Sequence, residues 1–397
     1  MRALLLASAA LIAAPLAHAQ TVSNNQFDAG GASADIEANV DSAYDVGVTS
    51  VAGANAYTVV GDDIVLDNSQ HADGAVDADT VASVGSAGHG VVATSAAVAN
   101  GLTSEGGLEL RSTQLSHADA TATTTNDTGY VGYAASSSSA SANVAALSAE
   151  AEDITAILTQ ESTGTTFAHT IGDHWGSDGQ VVADAIASAN NITAAGSTTT
   201  MLTDTTQSAR GDNVTAEVDL YAGFAGDAVA NATANANALT IENQYGYLNA
   251  RVSQENTANV DARSYVTLGG DFPGFASAAA YGVGNQAMIS NTTSDTDMNT
   301  VQWNGGDIYA DAGLIADGAG DQALVSSAAY GNVVTGSLCG SDCGGDQATL
   351  TAANDQYNGG AVHARASISA QHANTAAGSA VAIGNAATYQ VSNPGGY

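Results

Sequence analysis

Two residue series run in phase through the chain and limit its fold more than any other feature. Gln26, Gln70, Gln114, Gln160, Gln207, Gln254, Gln302 and Gln356 are separated by 44, 44, 46, 47, 47, 48 and 54 residues. Asn55, Asn100, Asn143, Asn190, Asn237, Asn285, Asn332 and Asn385 follow at intervals of 45, 43, 47, 47, 48, 47 and 53. A period of this length marks a repeat architecture, in which each unit is one supersecondary element that buries its apolar face against its neighbours. The two series give eight units of about 47 residues, arrayed over residues 20–397. The one long interval in each series contains Cys339 and Cys343, so the segment near 336–347 reads as an insertion into one loop.

The context of each anchor is also kept. A β-branched or small residue stands six positions after Gln and usually Ala eight after it, as in Gln70 to Ala78, Gln254 to Ala262, Gln302 to Ala310 and Gln356 to Ala364. Alternating runs of small residues lead into Asn190, Asn237 and Asn285. Alternation with period two argues strand, and the Gly, Asp and Asn clusters between runs are turn signals. Each unit therefore reads as about three short strands. For the Ala-rich run at 134–151 the alternative is helix, since Ala is the best helix former.

A single unit this poor in large apolar groups cannot bury enough surface to fold alone. Stacked units can, with like residues above like at about 4.8 Å. The expected fold is all-β: an elongated, β-solenoid or β-helix-like stack. If each unit is one coil, eight coils make a rod on the order of 40 Å; if the strands fold back as hairpins, the result is longer or a sandwich. In such a stack, Gln and Asn in register form side-chain amide ladders. The ladder candidates are Gln70, Gln114, Gln160, Gln207, Gln254, Gln302 and Gln356, and Asn100, Asn143, Asn190, Asn237, Asn285, Asn332 and Asn385.

Charge removes whole classes of function. The chain has 40 acidic residues against 6 basic ones, all of them Arg, and no Lys. A P-loop and a Schiff-base centre both need Lys. A nucleic-acid surface needs a basic face to displace counterions, and none can be built here. The first residues carry a positive start at Arg2, an apolar run from Leu4 to Ala14 and a small-x-small site at Ala17 to Ala19. This reads as a signal peptide over residues 1–19, cut after Ala19, and the apolar run is too short for a membrane anchor. Such a chain is exported through the inner membrane, where Cys339 and Cys343 are expected to close a local disulfide; a metal site is the alternative.

No sequence motif for catalysis emerges, and no catalytic or metal residue is assigned. The nucleophile elbow, the zinc-protease helix, the dinucleotide fingerprint and the EF-hand loop are absent. His169, Asp173, His174 and Trp175 form the densest polar cluster and read as a surface loop, with metal binding as the alternative. Asp62, Asp212, Asp227, Asp271, Asp307, Asp321 and Asp346 follow Gly in turns and could hold Ca²⁺ between units. Trp175, Trp303 and the Tyr residues could stack on sugars or serve packing.

The Lys-free acidic composition, the export signal and the long units resemble the holdfast anchor (attachment) protein D family of adhesive alphaproteobacteria. The residues that match best are Gln356 to Ala364, as Q-x-N-x-G-x-V-x-A, and Tyr281 to Asn285. The resemblance implies an outer-membrane or cell-surface protein that tethers an adhesive polysaccharide. It also implies partners, a curlin-like subunit and an outer-membrane secretion lipoprotein, and no catalytic activity. The competing readings are an outer-membrane β-barrel and a polysaccharide-acting enzyme on a β-helix scaffold.

Overall fold

The computed structural model describes residues 20–340 and 348–392. The expected signal peptide lies outside these residues. So does Cys343, the second half of the expected disulfide, and Asp346.

The described residues form strands joined by short turns. In chain order the first are β1 (Gln20–Asp28), β2 (Ala32–Val40), β3 (Ala43–Val60), β4 (Ile64–Ala72), β5 (Val76–Glu105), β6 (Leu108–Ser116) and β7 (Ala120–Glu150). They are followed by β8 (Ile154–Ser162), β9 (Thr166–Ser197), β10 (Met201–Ala209), β11 (Asn213–Ala222), β12 (Ala225–Gln244) and β13 (Leu248–Asn256). The last are β14 (Asn259–Leu268), β15 (Phe272–Thr292), β16 (Thr296–Asn304), β17 (Ile308–Cys339), β18 (Leu350–Asn358) and β19 (Val362–Ser392). The Ala-rich run at 134–151 falls in β7 and its turn, not in a helix. Its Ser, Thr and Gly neighbours hold the two-residue alternation that a helix would scramble.

Two parallel sheets result. One has eight strands in the order β1-β4-β6-β8-β10-β13-β16-β18, and the other has eleven. Register follows the repeat: Gln70 pairs with Gln114, Gln207 with Gln254, and Asn285 with Asn332. The chain thus climbs one strand spacing each time it comes round. Three separate strands per turn of the chain are seen in β1–β3, β10–β12 and β13–β15. Elsewhere the second and third runs join into single bent strands of 30 to 32 residues, such as β5, β7 and β9. The bend sits at register shifts, between Ala87 and Gly90 in β5 and between Val131 and Ala134 in β7. A bulge turns the strand without releasing it from its neighbours.

The interior is divided into two apolar clusters. The larger is built mainly from Ala and Val, such as Ala168, Ala183, Ala185 and Ala187. The smaller holds the longer aliphatic side chains, among them Ile154, Leu158, Ile192, Met201 and Leu239. Small side chains let the opposed walls of the larger cluster approach closely, which leaves little apolar area per unit and shifts the burden of specificity to polar contacts.

Candidate functional site

The anchor amides occupy the boundary between the two clusters. On β10, Met201 belongs to the smaller cluster and Ala209 to the larger, and Gln207 stands between them. On β9, Ala189 belongs to the larger and Ile192 to the smaller, with Asn190 between. Gln160, Gln207, Asn143, Asn190 and Asn237 are buried.

Each amide bonds along the stack and across it. Gln160 donates to the Oε1 of Gln114 at 2.8 Å and to the Asn191 carbonyl at 3.1 Å. Asn143 donates to the Oδ1 of Asn190 at 2.8 Å and to the Glu161 carbonyl at 2.9 Å. The same pair of bonds recurs from Gln70 to Gln356 and from Asn100 to Asn332. Asn385, on the last strand, accepts from Asn332 at 2.7 Å. Because each amide nitrogen also donates to a main-chain oxygen, the orientation of every amide is fixed by chemistry rather than by choice. It follows that the two rows run oppositely: Gln donates toward the N-terminal end, Asn toward the C-terminal end. Their dipoles therefore oppose one another. A shorter row of Asn256, Asn304 and Asn358 adds a third track, with steps of 2.7 Å.

The turn carboxylates do similar work at the surface. Asp227 accepts the Phe275 amide at 2.9 Å, Asp271 the Ala319 amide at 2.8 Å, and Asp307 the Ala361 amide at 2.8 Å. Asp295 accepts the Thr349 amide, and that bond, with one from the Thr349 hydroxyl, holds its carboxyl below the usual carboxylate range. Each such Asp caps a main-chain N–H one step further along the stack. They do not converge as a Ca²⁺ cage: among the described residues, one group of three metal-ligating side chains comes together, His71, Asp73 and His117.

The cluster at His169 to Trp175 is not a surface loop but part of β9, and alternation scatters it. His169 points outward, its Nε2 3.3 Å from Asp219. His174 is buried, 2.7 Å from the Thr128 hydroxyl through Nδ1, and burial pushes its pKa down to about 4. Trp175 lies on the surface, 69% exposed, edge-on to Phe224, which also meets Tyr130 at 6.1 Å. Further along, Trp303 and Tyr357 lie parallel at 6.4 Å, and Tyr309 and His363 at 5.3 Å. Burial raises the Tyr281 phenol to about 12, so it acts as a neutral face, not as a base. The depressions in the surface are open grooves between successive turns; one is lined by Asp63, Glu109, Glu152 and Asp153.

These features define a class: an all-β protein of stacked parallel strands whose buried polar groups fix register. The sequence model described as holdfast attachment protein D (HfaD) matches residues 40–307, about two thirds of the chain. The chain belongs to that family. No curated protein and no solved structure matches it.

Proposed function

We propose that this chain is an exported β-solenoid of eight tiers that anchors an adhesive polysaccharide holdfast to the cell envelope. Membership of the holdfast attachment family, which is not a known enzyme family, gives the attachment role. The observation that carries the anchoring reading is the unbroken stack: one eight-stranded parallel sheet runs from β1 to β18. In the proposed role the two amide rows are the structural ladders that keep tiers in register under load. The Cys339–Cys343 disulfide would tighten the loop of the longest tier.

The surface supports many weak contacts. Exposed aromatic groups at Tyr130, Trp175, Trp303, Tyr309 and Tyr357 offer faces on which sugar rings stack, set at several heights along the stack. Repetition raises retention without any single strong site. A curlin-like subunit and an outer-membrane secretion lipoprotein are the proposed partners at the envelope, and nucleic acid is excluded by charge. A transmembrane barrel needs antiparallel neighbours and an apolar outward band. Here every pairing among the described strands is parallel.

A deletion strain tests the reading. Cells lacking the chain should make adhesive and shed it into the medium when rinsed. Cells that make no adhesive would assign the chain to synthesis or export instead.

A further inference from the structure

The geometry points to a zinc-binding site formed by His71, Asp73 and His117 that bridges two successive strands of the eight-stranded sheet. His71 lies near the end of β4, Asp73 just past it, and His117 just past β6. The His71 Nε2 and the Asp73 Oδ1 are 2.7 Å apart, Asp73 Oδ1 and His117 Nδ1 3.0 Å, and the two ring nitrogens 3.2 Å. Ligand atoms of a tetrahedral zinc ion, at bond lengths near 2.0–2.1 Å, stand about 3.4 Å apart. The triangle therefore needs only a small expansion to seat the ion.

Hydrogen bonding leaves one edge of this triangle unfilled. If both nitrogens carry protons, both donate to Asp73 and no proton lies between the two rings. If one nitrogen is bare, it meets its partner ring well but turns a lone pair toward the carboxylate. With neutral rings at most two of the three edges are hydrogen bonds. A divalent cation at the centre uses all three lone pairs at once.

The frame is already rigid. The Asp73 amide donates to the Asp28 carbonyl at 2.8 Å and the His117 amide to the Ala72 carbonyl at 2.8 Å. Phe27 packs edge-on against the His71 ring at 5.1 Å, and the two imidazoles meet at 4.9 Å. All three side chains are 31 to 49% exposed, which gives the ion a way in and leaves the fourth position to water. Two imidazoles and one carboxylate select zinc over Ca²⁺ or Mg²⁺, which take oxygen donors. An excess of acid over the whole chain, net −34, raises the local cation concentration. The ion would tie together two His residues 46 apart in sequence.

The test is calorimetric titration of the full, chelator-stripped, oxidised chain with zinc chloride. One equivalent should bind, and the thermal midpoint should rise with zinc but not with equal calcium or magnesium. Two substitutions borrow what neighbouring strands already carry at these places: His71→Leu, after Leu115, and His117→Thr, after Thr163. Each should weaken zinc roughly tenfold or more, and the pair should abolish the equivalent while far-UV circular dichroism stays unchanged. His89→Ala, at an exposed His elsewhere, should bind as the parent does. Absence of stoichiometric zinc in the parent, or its persistence in the double variant, would overturn the site.

Discussion

At the scale of the residue, continuity matters more than any single contact. Replacing Gln160 by Leu strips a donor from Gln114 Oε1, an acceptor from Gln207 Nε2 and a donor from the Asn191 carbonyl. Each orphaned buried group costs about 1–3 kcal/mol, so Gln160→Leu should lose about 3 kcal/mol or more, read from the urea midpoint. Gln356→Leu, at the half-buried last rung, should lose under about 1 kcal/mol because water replaces what is missing. Equal losses would mean the rungs act independently of burial. His174 makes a different prediction, in pH. Its pKa is about 4 in the folded chain against 6.5 unfolded, so between those values the unfolded chain holds the extra proton. Stability is then full above 6.5 and falls as pH drops toward 4, by on the order of 3 kcal/mol. Thr128 and Ala222 flank His174 in register and Leu220 is buried close by, so Leu fits the site. His174→Leu should flatten the melting temperature across that window, whereas an unchanged slope would put the effect elsewhere.

At the scale of the element, the turns that return the chain to the eight-stranded sheet hold stored strain. Gly106 has φ 110°, but the equivalent places hold Ala151 at 62°, Thr198 at 57°, Tyr245 at 60° and Thr293 at 71°. A β-branched residue there is costly. Thr293→Gly should raise the thermal midpoint, by about 1 kcal/mol in stability. The other turn shows the reverse constraint: a Cβ on Gly306 would lie 1.9 Å from the Ala258 carbonyl oxygen, in the turn between β13 and β14. Gly306→Ala should therefore lose about 1–3 kcal/mol. Strands and turns were legible in sequence because period-two alternation and Gly–Asp punctuation are local signals. The Gln and Asn rows were visible because a stack demands the same amide at every level. What sequence hid was non-local. Joining two runs into β9 depends on a bulge, not on a missing turn signal. The opposed direction of the rows depends on main-chain carbonyls, and Asn256, Asn304 and Asn358 recur too few times to stand out. His169 and His174 are close in sequence yet lie on opposite faces, while His71 and His117 are far apart in sequence and adjacent in space.

At the scale of the whole molecule, the proposal that tiers are interchangeable has a sharp consequence. In a stack, stability is a sum of unit terms and nearest-neighbour interfaces, so an internal tier can be removed if its two neighbours can meet. Deleting residues 208–254 joins Gln207 to Glu255, so Gln207 takes the place of Gln254 beneath Gln302. On the other sheet Asn190 would come beneath Asn285, replacing Asn237, so both rows would close without a gap. Ala209 and Asn256 occupy the same register position, and the joined chain keeps Asn256, whose own amide bonds to Asn304 are untouched. The Arg210 link to Glu161 and Glu255 is lost, a half-exposed contact of small value. The shortened chain should thus be exported, show an unchanged β-sheet circular dichroism spectrum per residue, and hold the adhesive more weakly than the parent in a rinse assay. A second in-phase deletion cut ten residues later, 218–263, joins Glu217 to Ser264, which takes the register place of Val218, so it too keeps both rows and serves as the control for where the cut falls. Both in-phase deletions should behave alike. Removal of 208–230 shifts the rungs by half a tier and should leave an unfolded, protease-sensitive chain. If all three deletions unfold, the molecule is one closed cooperative domain and not a stack of exchangeable tiers.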